Sequence, residues 1–288
     1  MLMNRQLLFC AFGLILAALM PICACRDEFD DQHHSSIEIP AQSESFKDKN
    51  MTAQPSASPT VLVTSIPSVE PTVTPEPSPS PFPGTEYMPL TYEEKTRLVN
   101  FDNPLPEDYV PRDLVSAKEL LGDVCALRKE DSLIQYEVGL RLRELFIAAY
   151  DEGMGEYRVC DPYRTQEYQA SLWDSRVSIY PDYGKNPYEE PVGVMPGNAS
   201  EHCAGLAVDV CSTAHPSLDV DFSRTAEGEW LIKNAHRFGF IFRYPADKTH
   251  ITGVKCEPWH IRYVGIELAE AMYGSELCLE EFIGVNMG

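Results

Sequence analysis

Two short segments decide how this 288-residue chain is read: Ser200-Glu201-His202-Cys203-Ala204-Gly205-Leu206-Ala207-Val208-Asp209 and Glu257-Pro258-Trp259-His260-Ile261-Arg262-Tyr263. Ala204 to Cys211 is rich in small and β-branched residues and reads as a strand carrying Asp209. Gly205 lets the backbone turn tightly between His202 and that strand. Zinc in hydrolases takes three protein ligands from imidazole nitrogen and carboxylate oxygen and leaves a fourth position for water. His202, Asp209 and His260 make up such a set. Glu257 lies three residues before His260, so a turn brings its carboxylate close to the metal, where it would accept a proton from the activated water. Taken singly, each residue is ordinary: a lone His is usually a hydrogen-bonded structural residue, and an Asp ending a strand is usually a cap or turn residue. The combination points to metal chemistry. His33, His34, His215, His236 and His250 have no comparable carboxylate companions.

Around these segments, helical and extended patterns interleave. Leu133-Ile134, Val138, Leu142, Leu145-Phe146 and Ala149 recur at helical spacing, with Gly153 as the stop. Gln166 to Trp173 predicts a short helix, and Thr225 to Phe238 a longer one ending at Gly239. Tyr157–Cys160, Phe240–Tyr244 and Trp259–Val264 read as strands. The regular repeat of a doubly wound fold is absent. The pattern therefore predicts an α+β fold, a small antiparallel sheet flanked by helices.

The 200 residues from 89 to 288 are enough for one domain with its own core. Before them the composition changes. Within 51–84, 9 of 34 residues are Pro and 11 are Ser or Thr. Such a stretch cannot bury enough apolar surface to offset its ordering entropy, so 25–88 is expected to be a disordered linker. Proline biases it to extended geometry with a reach on the order of 100 Å, a spacer for a tethered domain.

The first 24 residues read as a targeting segment: Arg5 precedes the uncharged apolar run Leu7–Leu19, too short for the ~20 residues of a membrane-spanning helix. The run leads to Ile22-Cys23-Ala24-Cys25, which resembles the lipobox of bacterial lipoproteins and makes Cys25 the expected acylated N-terminus. An extracytoplasmic, membrane-anchored chain is implied, with ordinary secretion as the alternative. With 44 acidic against 23 basic residues and a formal charge of −21, the chain lacks the clustered cations that nucleic acid or an anionic lipid surface requires. Contact with the membrane is expected only through the lipid. Outside the targeting segment six cysteines remain, Cys125, Cys160, Cys203, Cys211, Cys256 and Cys278. In an exported chain they permit up to three disulfides in 15 pairings, which the sequence leaves open.

The pattern Ser-x-His-x-x-Gly-x-Ala-x-Asp followed by Glu-x-x-His resembles the LAS metallopeptidases, and within them the VanY-like D-alanyl-D-alanine carboxypeptidases. The likeness extends through Asn103-Pro104-Leu105-Pro106-Glu107-Asp108-Tyr109, Tyr163-Arg164-Thr165-Gln166-Glu167-Tyr168-Gln169, Trp230-Leu231, Phe238-Gly239-Phe240 and Arg243-Tyr244-Pro245, covering roughly 103–268.

The resemblance implies one Zn2+ on His202, Asp209 and His260, with Glu257 as general base. It places Arg164 near the scissile carbonyl, where a fixed cation stabilises the oxyanion. Taken alone, Arg164 reads more readily as a salt bridge pinning a strand to the following helix. Ser200 and Gln169 match positions that contact the C-terminal residue of the peptide. The implied function is removal of the C-terminal D-Ala from peptidoglycan stem peptides or their precursors, by a lipid-anchored domain facing the cell wall; a monomer is expected. Alternatives are an L,D-carboxypeptidase acting on tetrapeptide stems and a non-catalytic peptidoglycan-binding module. A pure binder has no need of Glu257. The sequence departs from the family at Cys160, Cys203, Cys211 and Cys256, where apolar or small residues are expected. Zinc also accepts thiolate, so a closed site built from Cys203, Cys211, Cys256 and a His is the rival reading of the metal.

Overall fold

A computed structural model describes residues 87–287. The signal segment 1–24, nearly all of the linker 25–88 and Cys25 lie outside them. The strands are β1 (Leu114–Ser116), β2 (Ala126–Leu127), β3 (Leu133–Gln135), β4 (Tyr157–Asp161), β5 (Ala207–Ser212), β6 (Phe240–Phe242) and β7 (His260–Tyr263). The helices are α1 (Tyr92–Thr96), α2 (Ala117–Leu121), α3 (Tyr136–Asp151), α4 (Gln166–Ile179), α5 (Ala226–Asn234), α6 (Thr249–Thr252), α7 (Ile266–Met272) and α8 (Leu279–Met287). The fold is α+β, as the interleaved pattern predicts. Five strands form one sheet in the order β2-β4-β5-β7-β6, and β1 pairs with β3 in a separate ribbon. All pairings are antiparallel except β2 with β4, so a parallel edge strand makes the larger sheet mixed.

The central strand β5 is buried at all six positions, which is why its sequence is a continuous small and apolar run rather than an alternation. Its neighbours fix the site. On one side, β7 pairs in a register that sets Asp209 directly opposite His260. On the other, the β4 register slips between Val159 and Asp161, so Cys160 is the extra residue and Asp161 comes opposite Asp209. Bulges of this kind turn a strand and re-aim its side chains.

Helix α3 packs its apolar stripe on the sheet: Val138, Leu142, Leu145, Phe146 and Ala149 are buried, and Phe146 stacks on Tyr157 of β4 with ring centroids 5.1 Å apart. Leu133-Ile134, read from sequence as its first turn, belongs instead to β3. The side chain of Gln135 accepts from Val138 N at 3.0 Å and starts the helix there. Helix α4 runs beyond Trp173 to Ile179, and Ser171, Ser175 and Ser178 donate back to carbonyls three or four residues earlier, at 2.6–2.8 Å, which satisfies their hydroxyls within the helix. The 225–238 segment changes to a 3₁₀ turn after Asn234 and stops at Gly239, whose φ of +85° suits only a residue without a Cβ.

All six cysteines are free thiols. Cys160, Cys203 and Cys211 fill the main core as small apolar side chains, with Cys160 Sγ and Cys211 Sγ 3.3 Å apart across β4 and β5.

Candidate active site

Ser200–Gly205 is a tight turn, not the start of the strand. Cys203, Ala204 and Gly205 donate to the carbonyls of Ser200, Glu201 and His202, and Leu206 N returns to Glu201 O at 3.3 Å. Gly205 makes it possible: its φ is +71°, and a Cβ there would stand 3.0 Å from Pro111. The turn carries His202 back over β5, toward Asp209 and the β7 residue His260.

All three side chains are buried. Asp209 Oδ1 lies 3.3 Å from His202 Nε2 and 3.1 Å from His260 Nδ1. Donor atoms about 2.0–2.2 Å from one tetrahedral ion stand roughly 3.3 Å apart, so these two spacings suit zinc, and the three ligand atoms all lie within 4.8 Å of one another. The far side of each imidazole is also engaged. His202 Nδ1 sits 2.8 Å from Pro162 O, and His260 Nε2 lies 3.5 Å from Glu201 Oε2. Assigning those nitrogens as the protonated donors leaves His202 Nε2 and His260 Nδ1 with lone pairs facing Asp209, the tautomers a metal requires. His202, Asp209 and His260 are the cluster of potential metal ligands among the described residues. Cys203, Cys211 and Cys256 do not join it, so the thiolate site is not formed.

Asp209 divides its oxygens. Oδ1 faces the histidines, and Oδ2 accepts from Arg164 Nη2 at 2.7 Å. Burial opposes its charge, but His202, His260 and Arg164 outweigh burial and hold the carboxyl well below the ordinary aspartate range. Arg164 also lies 3.5 Å from Asp161 Oδ2 and donates through Nη1 to Gln169 Oε1 at 3.1 Å. The salt bridge between strand and helix is therefore present, directed at the metal ligand itself. Arg164 Nε is buried without a partner among the described residues.

Glu257 Oε2 is 3.9 Å from His260 Nδ1, on the metal-facing side of the ring. The turn needed to bring it there is made by His260 N donating to Glu257 O at 3.2 Å. Burial is the main cause that pushes its carboxyl up to about 8, with Asp209 adding to the rise and His260 and Arg164 opposing it. A divalent cation alongside would favour its charged form.

Gln169 and Ser200 are both buried. The Gln169 amide donates to Met195 O at 2.8 Å as well as accepting from Arg164, so it braces the guanidinium. Trp259 is only partly buried and packs on the main core. Glu201, Arg243 and Arg262, which back the site, were not singled out from sequence. Arg243 follows the run Phe240–Phe242, and Arg262 sits inside the run His260–Tyr263. A cation embedded in an apolar strand needs a buried partner, and that is the signal that could have found them.

The fold and the His/Asp/His centre with a neighbouring glutamate are those of LAS-type zinc metallopeptidases. Residues 131–266 match the family model described as "VanY: D-alanyl-D-alanine carboxypeptidase". A D-alanyl-D-alanine carboxypeptidase of Enterococcus faecalis is 39% identical over 194 residues, which are 66% of this chain and 65% of that protein. The chain thus spans just under two thirds of that relative's length. The zinc-bound crystal structure of a vancomycin-resistance D,D-pentapeptidase VanY is 37% identical, with 66% of this chain and 99% of the other covered and a TM-score of 0.53. The LD-carboxypeptidase LdcB, solved in a study of peptidoglycan recognition, is 33% identical over 65% of this chain and 84% of its own, with a TM-score of 0.57. The chain belongs to the VanY D-alanyl-D-alanine carboxypeptidase family.

Proposed function

We propose that this protein is a zinc-dependent D-alanyl-D-alanine carboxypeptidase that removes the C-terminal D-Ala from peptidoglycan stem peptides or their precursors. The observation that carries this reading is the β5–β7 register. It sets Asp209 against His260, and Glu257 lies 3.9 Å from the same imidazole, which supports reading them as a ligand pair with a proton acceptor beside it. A zinc ion bound there supplies Lewis acidity that makes water nucleophilic near neutral pH and polarises the scissile carbonyl.

Glu257 takes a proton from the attacking water and passes it to the leaving amine of the terminal D-Ala. Its burial keeps it basic enough for that task. Arg164, fixed by Asp209, Asp161 and Gln169, presents a guanidinium that already has its orientation and needs no reorganisation as charge develops on the oxyanion. Gln169 acts on the substrate through Arg164, and Ser200 lies at the head of the ligand turn, where it would meet the terminal residue.

The test is a panel of peptides whose products are weighed. A D,D-pentapeptide stem is expected to lose one residue with a kcat/KM at least tenfold above that for free D-Ala-D-Ala, about 1.4 kcal/mol of transition-state binding gained from the upstream residues. Glu257-Pro258-Trp259-His260 supports this preference, because the dipeptidase branch carries Trp where this chain has Pro258. Preference for the free dipeptide would overturn the carboxypeptidase assignment. The likeness to LdcB favours a second reading, L,D cleavage of tetrapeptide stems, and the panel includes that substrate.

The proposal includes export and anchoring through lipid on Cys25, with the domain working as a monomer. The sequence of the first 25 residues supports the anchor. Cys25→Ser should shift the protein from the membrane fraction to the medium or leave it as unprocessed precursor; an unmodified wild-type N-terminus beyond Cys25 would exclude it.

A further inference from the structure

A buried ion cluster connects the last helix to the metal site. The Glu201 side chain is fully inaccessible to solvent, and so are those of Arg243 and Arg262. Glu201 Oε1 accepts from Arg243 Nε at 2.7 Å and from Arg262 Nη1 at 2.6 Å. Its other oxygen is the one that faces His260 Nε2 at 3.5 Å. Arg262 also donates to the carbonyls of Lys95, Arg97 and Tyr263. Arg243 reaches the opposite way, with a bidentate fork to Glu280 at 2.8 and 2.5 Å. Glu280 lies in the first turn of α8 and also accepts from Asn100 Nδ2 at 3.2 Å. The cluster holds two carboxylates and two guanidiniums, so it is neutral when intact. Removing one member leaves a buried charge uncompensated.

Burying four charges stabilises a fold no better than apolar packing of the same volume, so stability alone gives no reason for the cluster. Its geometry gives one. Both arginines converge on the same oxygen of Glu201 and leave the second free to face a single group, the imidazole nitrogen that points away from the metal position. We propose that Glu201 and Glu280 are positioning residues for the metal. Glu201 accepts the Nε2–H of His260 and keeps the Nδ1 lone pair directed at the ion. Glu280, through Arg243, holds Glu201 in that pose, so α8 sets how tightly the site binds. Glu280 lies beyond the 131–266 segment that the family model matches, which makes this a contribution from outside it.

The proposal rests on the metal site and not on the peptide cleaved. Its readouts use no peptide, so its failure is separable from failure of the carboxypeptidase reading. The full chain is prepared as wild type, Glu201→Gln and Glu280→Gln, with Lys118→Gln as a surface control whose ion pair with Glu130 is exposed. Zinc dissociation constants are measured by chelator competition, and visible spectra are recorded after cobalt(II) replaces zinc. Loss of a carboxylate behind a ligating His typically weakens metal binding 10–100-fold. Glu201→Gln should fall in that range and shift the cobalt bands. Glu280→Gln should weaken zinc at least about threefold with a shift in the same sense. Lys118→Gln should match wild type.

A purely structural role predicts a lower melting temperature with zinc affinity within about twofold and superposable cobalt spectra, and that result would overturn the proposal. A change in Glu201→Gln alone would overturn the part assigned to α8. If Glu201→Gln does not fold, Glu280→Gln decides the matter by itself: wild-type zinc affinity there refutes the relay.

Discussion

Asp209 is the residue on which the site turns, because each of its oxygens has a separate task. Oδ1 faces both histidines and Oδ2 is tied to Arg164. Arg164 therefore belongs both to the fold and, in the proposed reaction, to the oxyanion. Losing one such fixed donor typically costs 10²–10³ in rate. Arg164→Ala should lower kcat by about that factor while the three ligand side chains still take up zinc; a fall of less than about tenfold would remove Arg164 from the chemistry. The pairs His202 with Asp209 and Glu257 with His260 stood out because each sits in one short segment, while joining the two segments, with Asp209 and His260 51 residues apart in the chain, took the family resemblance. Glu201 was not, although it adjoins His202. Its role exists only through Arg243 and Arg262, which come 42 and 61 residues later in the chain, and no local pattern records that pairing.

At the scale of elements, what the sequence showed best was type, and what it showed least was where each element stops. The strands β4, β5 and β7 stand out because buried strands need small, β-branched and aromatic residues. Helix α4 outran its predicted end because only Gln169 of its 14 residues is buried, so there is no apolar stripe whose period could mark where it stops. Helix α1 escaped notice because five residues are too short for any period. Its stability comes from a capping box, in which Thr91 Oγ1 accepts from Glu94 N and Glu94 accepts from Thr91 N. Thr91→Ala should cost about 1 kcal/mol, read from denaturant unfolding. Glu94 is also gripped at both oxygens by Arg112, whose hydrogen bonds are the main cause that lowers its pKa to about 2. A depressed carboxyl contributes stability above its unfolded pKa of about 4.5 and loses it as pH falls through the folded value. The melting temperatures of wild type and Glu94→Gln should thus differ above pH 5 and converge toward pH 2. A difference that persists unchanged at pH 2 would contradict the assignment.

For the molecule as a whole, the site's side chains are held by protein partners. Pro162 O takes one histidine, Glu201 the other, and Arg164 the aspartate. Chelation of the metal should therefore abolish hydrolysis while leaving the far-ultraviolet circular dichroism of the domain essentially intact, in contrast to a structural zinc whose removal unfolds its domain. Loss of secondary structure on chelation would restore the structural reading of the metal. In the proposed reaction Glu257 moves the proton and zinc is required. The most direct test compares wild type and Glu257→Ala for zinc content and for cleavage of a D,D-pentapeptide under single-turnover conditions. The variant should keep one zinc per chain, because Glu257 is not among the three ligands, and lose at least 10²-fold in rate, the usual contribution of a general base. A Glu257→Ala protein that retains its zinc and cleaves within tenfold of the wild-type rate would contradict the account.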